Sequence, residues 1–208
     1  MKETRVPFCA EMILALKDGR KTETRRLIRP QAWSYAEDVL GQPVIYPRSG
    51  PDDFGDSSKP IRLPYAVGDI ILGTETWRIY AVQDTAQSVL VKYRVDDSTS
   101  DWFHVEDSER FDRYAAKLHE NPVFWRPPRY MPKEFVRYRW PLDSLRVERL
   151  QDITLAGISA EGMTNDDWYK TAPADWFSAL WDSINGKTFP WESNPFVYVL
   201  GLGEATNG

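Results

Sequence analysis

Glu11-Met12-Ile13-Leu14-Ala15-Leu16-Lys17-Asp18-Gly19-Arg20-Lys21-Thr22-Glu23-Thr24-Arg25-Arg26 changes its period halfway along. In residues 11–17 the apolar side chains recur at helical spacing, and Phe8, Met12 and Ala15 share one helical face. Gly19 follows as a C-terminal stop, because a glycine can enter the left-handed conformation that ends a helix. Residues 21–28 then alternate as a strand does, with Thr22, Thr24 and Arg26 on one side and Glu23 and Arg25 on the other. A helix that stops on a glycine and gives way to a basic strand sets the α+β character of the chain.

The same alternation of periods continues outward. Gly68-Asp69 makes a turn into the short apolar run Ile70-Ile71-Leu72. Val89, Val91, Tyr93 and Val95 alternate with polar neighbours, and Leu145 and Val147 alternate with Arg146 and Glu148, so both segments read as strands. Residues 152–162 read as a helix with Thr154 as N-cap and Gly162 as stop. A further helix is expected over 174–184, where Trp176, Leu180 and Ile184 recur every four residues. Phe196-Val197-Tyr198-Val199-Leu200 is continuous and β-prone, as a central strand is. Residues 30–64 are rich in Pro, Gly, Ser and Asp without a period, and 96–132 are loop-like with a short helix near 110–118. The expectation is a small β-barrel or curled mixed sheet of α+β class. It forms one domain over residues 1–208, with insertions at about 31–64 and 96–132.

At 208 residues with 42% hydrophobic and 27% charged side chains, the composition is that of a globular protein that buries a sizeable core. No apolar run approaches the roughly 18 residues of a membrane span. Residues 1–7 lack the apolar stretch of a signal peptide. The single cysteine, Cys9, excludes an internal disulfide framework and suits a reducing cytoplasm. The net charge of −5 argues against holding long duplexes by counterion release, and points to a local basic patch or a small ligand. His104 and His119 are too widely spaced for a zinc pair. Asp52-Asp53-x-x-Asp56 reads as turn-forming residues more readily than as a calcium loop. No metal or cofactor is called for.

Lys21 stands just past the helix stop, where a loop can turn its ammonium inward. Burial and neighbouring arginines both lower a lysine's pKa, and a neutral lysine could take the proton of the Thr24 hydroxyl. Arg25 and Arg26 could hold a phosphate or a carbonyl oxygen. A basic, threonine-rich strand is also what a solvated sheet edge looks like. Glu161 falls in the last turn of its helix, where the negative end of the macrodipole disfavours a carboxylate and suits it to donate a proton; an exposed surface glutamate has the same spacing. Glu75 and Trp77 close the run Thr74-Glu75-Thr76-Trp77 and could line a pocket, with Glu75 equally able to pair with an arginine. Among nine tryptophans, Trp77, Trp125 and Trp140 could stack on a nucleobase. Trp176 and Trp181 lie on an amphipathic helix and read as core.

Gly19-x-Lys21-x-x-Thr24-x-Arg26 after a short helix resembles the signature of ASCH domains, in the PUA-like superfamily of small β-barrels. The wider chain is similar to a phage and prophage ASCH-domain group. The matching blocks are Gly68-Asp69-Ile70, Glu75-Thr76-Trp77, residues 146–153, Ala160-Glu161-Gly162, residues 180–186, Trp191-x-x-Asn194-Pro195 and the closing strand. The resemblance implies a PUA-like pseudobarrel with flanking helices and a cleft for RNA, modified bases or nucleosides. One bacterial branch is similar to an amidohydrolase that deacetylates N4-acetylcytidine. By that resemblance Lys21 is the proton acceptor, Thr24 the nucleophile and Glu161 the proton donor. The residues themselves add Arg26, Arg25, Glu75 and Trp77 as candidate substrate-binding residues. The chain departs from the group at Leu72-Gly73-Thr74, where Trp-Val-Arg usually precedes the Glu-Thr-Trp block. The expectation is a hydrolase of N4-acylated cytidine or a similar nucleoside. A non-catalytic binder of modified bases or single-stranded RNA or DNA is the first alternative, and a metal-independent ribonuclease the second.

Overall fold

A computed structural model describes residues 1–29, 32–37, 43–47 and 63–207. The chain is of mixed α+β class, and its described strands form no closed barrel. Its residues gather in two compact units, one of residues 1–2, 18–70 and 141–204 and the other of 3–17, 71–140 and 205–208. The Asp52-Asp53-x-x-Asp56 cluster lies outside the described residues, as does most of the insertion at 31–64.

In the first unit the sheet is built on β10 (Phe196–Leu202), every residue of which is buried. It lies between β2 (Glu23–Leu27) and the later part of β9 (Tyr138–Arg149), antiparallel to both. The expected central strand is therefore central, although its neighbours run antiparallel: its continuous apolar run reflects cover on both faces. Helices α3 (Leu155–Ala160), α4 (Asn165–Lys170) and α5 (Pro173–Asn185) follow β9. Ile158 of α3 and Phe177 and Trp181 of α5 pack with Val197 and Val199 of β10 into one core cluster. The Trp181 indole N–H donates to Phe189 O at 2.8 Å, so this large ring is buried without an orphaned donor. Thr154 caps α3 as expected, accepting from Gly157 N, and Gly162 ends that segment with a φ of 101°. The helix α4 was not legible, because its six residues are too few for a period; a Thr164–Asp167 capping box starts it. The hairpin of β3 (Ala32–Glu37) and β4 (Pro43–Pro47) lies within a stretch expected to be irregular.

The second unit holds β1 (Glu3–Pro7), α1 (Ala10–Lys17) and most of β5 (Ile70–Thr74). It adds an antiparallel meander of β6 (Trp77–Gln83), β7 (Ser88–Tyr93) and β8 (Thr99–His104). The face of α1 that is buried carries Ile13, Ala15 and Leu16, with Met12 only half-buried. Val89, Val91 and Tyr93 are fully buried on β7, as their alternation implies. The segment 96–132 is more ordered than expected, since it supplies β8 and the thirteen-residue helix α2 (Ser108–Glu120). Strand β8 is mostly exposed and polar, which removed the alternation that marks a half-buried strand. Phe135 anchors the aromatic core, with the rings of Trp77, Phe103 and Tyr114 at 5.1–5.4 Å.

Trp140 is 1% exposed, so it is a core residue and no platform for a base. Its ring packs directly on Gly73 of β5. A Cβ on Gly73 would overlap the six-membered ring of Trp140, so only a glycine fits beneath it. Gly73→Ala is expected to cost about 1–3 kcal/mol through overpacking, read as a lower urea midpoint at unchanged m value. An unchanged midpoint would mean that the ring has room to move aside.

Candidate functional site: a buried Lys21–Glu161–Arg25 cluster

Three residues separated by up to 140 positions meet inside the first unit. Gly19, at a φ of 70°, turns the chain out of α1, and Lys21 enters ahead of β2 with its side chain wholly buried. Thr22 N donates to Ala160 O at 2.8 Å, which ties the start of this segment to the end of α3. Glu161 is the C-cap residue of α3 and only 4% exposed. The Lys21 ammonium forms a buried ion pair with Glu161 Oε2 and donates to the Glu161 carbonyl oxygen at 3.1 Å.

The second carboxylate oxygen of Glu161 is held by Arg25. It accepts from Arg25 N at 2.8 Å and from the guanidinium at 3.1 Å. Arg25 Nε donates in turn to Glu148 Oε1 at 2.8 Å. The guanidinium lies over the Phe177 ring at 5.8 Å, and a Cβ on Gly157 would come within 2.8 Å of it. At the rim, Arg146 grips Glu23 with two bonds of 2.7 and 2.9 Å and reaches Glu148 at 3.2 Å.

The Lys21 pKa is lowered, chiefly by burial, with Arg26 and Arg25 pushing the same way and Glu161 opposing. This is the environment that the sequence led us to expect. The setting of Glu161 differs from expectation. A single turn before the C-cap gives a small macrodipole, and the carboxylate faces three N–H donors, two of them on cations. In this arrangement it is an acceptor at both oxygens.

Strand register decides which side chains face this cluster. Arg25 lies opposite Val199, which lies opposite Arg146, so these three share one face with the helices α3 and α5. Thr24 pairs with Leu200 and Arg26 with Tyr198, so both project from the other face of the sheet. Thr24 is buried there, and no hydrogen bond joins it to Lys21 or Glu161 among the described residues. Tyr65 meets the Tyr198 ring edge-on at 5.7 Å. Burial raises the Tyr65 pKa against the pull of Arg26, and burial pushes Tyr198 up to about 12.

The remaining expected residues belong to the second unit. The Glu75 carboxylate takes two bonds from Arg137, at 3.0 and 2.9 Å, and Arg137 also binds Asp96. Glu75 thus forms an arginine clamp, the second of its two readings. Burial nevertheless raises its pKa, with Arg137 opposing. Trp77 is 2% exposed and packs on Phe135. Trp125 is half-buried, between the guanidinium of Arg78 at 5.2 Å and that of Arg94 at 5.9 Å.

Sequence reasoning missed Glu148 and Arg146, whose alternation on β9 was visible although its partners were not. No helix among the described residues is long and apolar enough to cross a membrane. Comparison with protein-family profiles, curated proteins and solved structures gives no match to this chain.

Proposed function

We propose that the chain is an ASCH-type, PUA-like protein that hydrolyses the amide of an N4-acylated cytidine or a similarly modified nucleoside. The observation that carries this reading is the buried contact between Lys21 and Glu161. Two opposite charges taken out of water rarely repay their desolvation as stability alone, whereas they serve proton transfer well. In the proposed reaction Lys21 acts as the base in its neutral form, and this contact gives the proton it takes up a direct route to the Glu161 carboxylate.

In the proposed sequence Lys21 Nζ accepts the Thr24 hydroxyl proton as Thr24 Oγ attacks the acyl carbon. The Lys21 ammonium passes that proton across their hydrogen bond to Glu161, which gives it to the exocyclic nitrogen as the C–N bond breaks. Water then attacks the acyl ester, and its proton returns to Thr24 Oγ as the acyl group leaves as the acid. Arg26, on the Thr24 face, supplies positive charge to the oxyanion. This sequence requires the Thr24 hydroxyl, which leaves β2 on the face opposite Arg25, to reach Lys21 Nζ when substrate is bound.

The test is incubation of purified protein with N4-acetylcytidine and chromatography for cytidine. Turnover by the wild type and its loss in Thr24→Ala and Lys21→Met are expected. Absence of turnover by the wild type would remove the hydrolase reading. The placement of Thr24 on the face opposite Glu161 favours one other reading, a binder of modified bases or single strands without chemistry. That reading expects binding that weakens when Arg26 is replaced and is indifferent to Thr24→Ala.

A further inference from the structure

Trp77 on β6, the helix α2 and residues 124–132 enclose a cavity of about 520 Å³ in the second unit. That volume suits a small organic ligand. Three of its cations come from α2: Arg110, Arg113 and Lys117, spaced three and four residues apart on one helical face. Arg126 adds a fourth. Among the described residues no carboxylate lines the cavity, in a chain whose net charge is −5.

Two of these cations have partners. Arg110 ion-pairs with Glu134 and donates to Tyr114 Oη at 3.1 Å. Arg113 has only the solvent-exposed Glu109 at 3.9 Å, a weak pairing. Lys117 and Arg126 form no ion pair among the described residues. Arg113 and Lys117 are like charges one turn apart, and both are exposed. Burial lowers the Arg126 pKa, with only Glu120 opposing, so this guanidinium is short of compensating charge.

The rest of the wall is aromatic. The Arg126 guanidinium lies over Trp77 at 5.5 Å and over Phe124 at 5.6 Å. A backbone bridge fixes this stack, with Arg126 N donating to Trp77 O at 2.7 Å and Trp77 N to Arg126 O at 3.2 Å. Phe124 and Tyr130 present 51% and 60% of their surfaces to solvent. The Trp77 indole N–H is buried without a hydrogen-bond partner.

We propose that this cavity binds a nucleotide, its phosphate held by Arg113, Lys117 and Arg126 and its base against Phe124 and Tyr130. Inorganic phosphate would use only the cations and a nucleoside only the rings; a nucleotide uses both. A free mononucleotide and a residue of a single strand share that chemistry. The site is composed wholly of second-unit residues and does not depend on the hydrolase reading.

Isothermal titration calorimetry on the full chain, at low salt, tests it with CMP, cytidine, inorganic phosphate and a short single-stranded oligonucleotide. CMP is expected to bind at least about tenfold more tightly than cytidine or phosphate, and to weaken as salt rises. An oligonucleotide that binds more tightly than CMP identifies a strand as the occupant; equal or weaker binding identifies the free nucleotide. Arg113 and Lys117 are exposed, so the R113E/K117E variant leaves the core intact, which circular dichroism checks. It is expected to lose about tenfold or more in affinity for either occupant. Phe124→Ala is expected to weaken CMP and leave inorganic phosphate unchanged. The proposal is overturned if neither CMP nor the oligonucleotide binds, or if R113E/K117E binds them as the wild type does.

Discussion

Replacing Glu161 by alanine is expected to cost about 3–5 kcal/mol of folding stability, the loss typical when one partner of a buried ion pair is removed. The Lys21 ammonium and the Arg25 guanidinium both rest on this carboxylate, and both side chains are 0–1% exposed. Alanine leaves the two cations facing each other without their shared counter-charge, and it orphans Arg25 N on β2. Glu161→Gln keeps an oxygen for Arg25 N and removes only the charge, so its cost is expected to be smaller. Lys21→Met is the contrasting case: it removes a buried cation and leaves Glu161 bound to Arg25, so it is expected to be milder than Glu161→Ala. Urea unfolding followed by tryptophan fluorescence measures all three. A loss under about 1 kcal/mol for Glu161→Ala would show that water or a rearranged Glu148 replaces the lost charge.

Lys21→Met is expected to reduce deacylation of N4-acetylcytidine by about 10²–10⁴-fold, the contribution of a positioned general base, while the fold is retained. The wild-type pH profile carries the sign. The reactive lysine is the neutral form, and burial holds its pKa below the ordinary 10.5. The fraction of neutral Lys21 therefore grows as pH rises, and kcat/KM is expected to climb along a limb whose midpoint lies under 10.5. Glu161→Gln removes the carboxylate that raises the lysine pKa, and is expected to shift the limb to lower pH as it lowers the maximum. A limb unmoved by Glu161→Gln would assign it to another group and detach Lys21 from the chemistry.

The two sites differ in how far they were legible. The step from helix to glycine to strand was read correctly from spacing, because Gly19 and the apolar period of α1 are local signals. Thr154 and Gly162 were legible for the same reason: a cap and a left-handed stop are decided within a turn of chain. The loop after the helix stop allowed an inward Lys21, whose pKa burial and the neighbouring arginines would lower, but a solvated edge fitted the same residues. At Glu161 the helix end was read correctly, and its partners were not legible. The macrodipole was weighed without Arg25 and Lys21, which approach from more than 130 residues away. The short helix expected near 110–118 is the core of α2, but the basic cavity was hidden because the rest of its wall fell in a segment read as loop. There the charges of α2 obscured its apolar face, of which only Phe111 and Tyr114 are buried.

The sequence by itself determined the α+β class, most of the principal elements, the caps that bound α3 and the alternation of faces along β2. Each of these rests on period, glycine conformation or charge over a few neighbouring residues. Only the tertiary structure decided that Lys21 is buried, that Glu161 is clamped between it and Arg25 on the Arg25 face of β2, and that Glu75 serves Arg137. It also decided that four cations of 110–126 converge on a cavity with Trp77. Those outcomes depend on strand register and on electrostatic contacts between distant segments, and a one-residue change of register would exchange the two faces of β2.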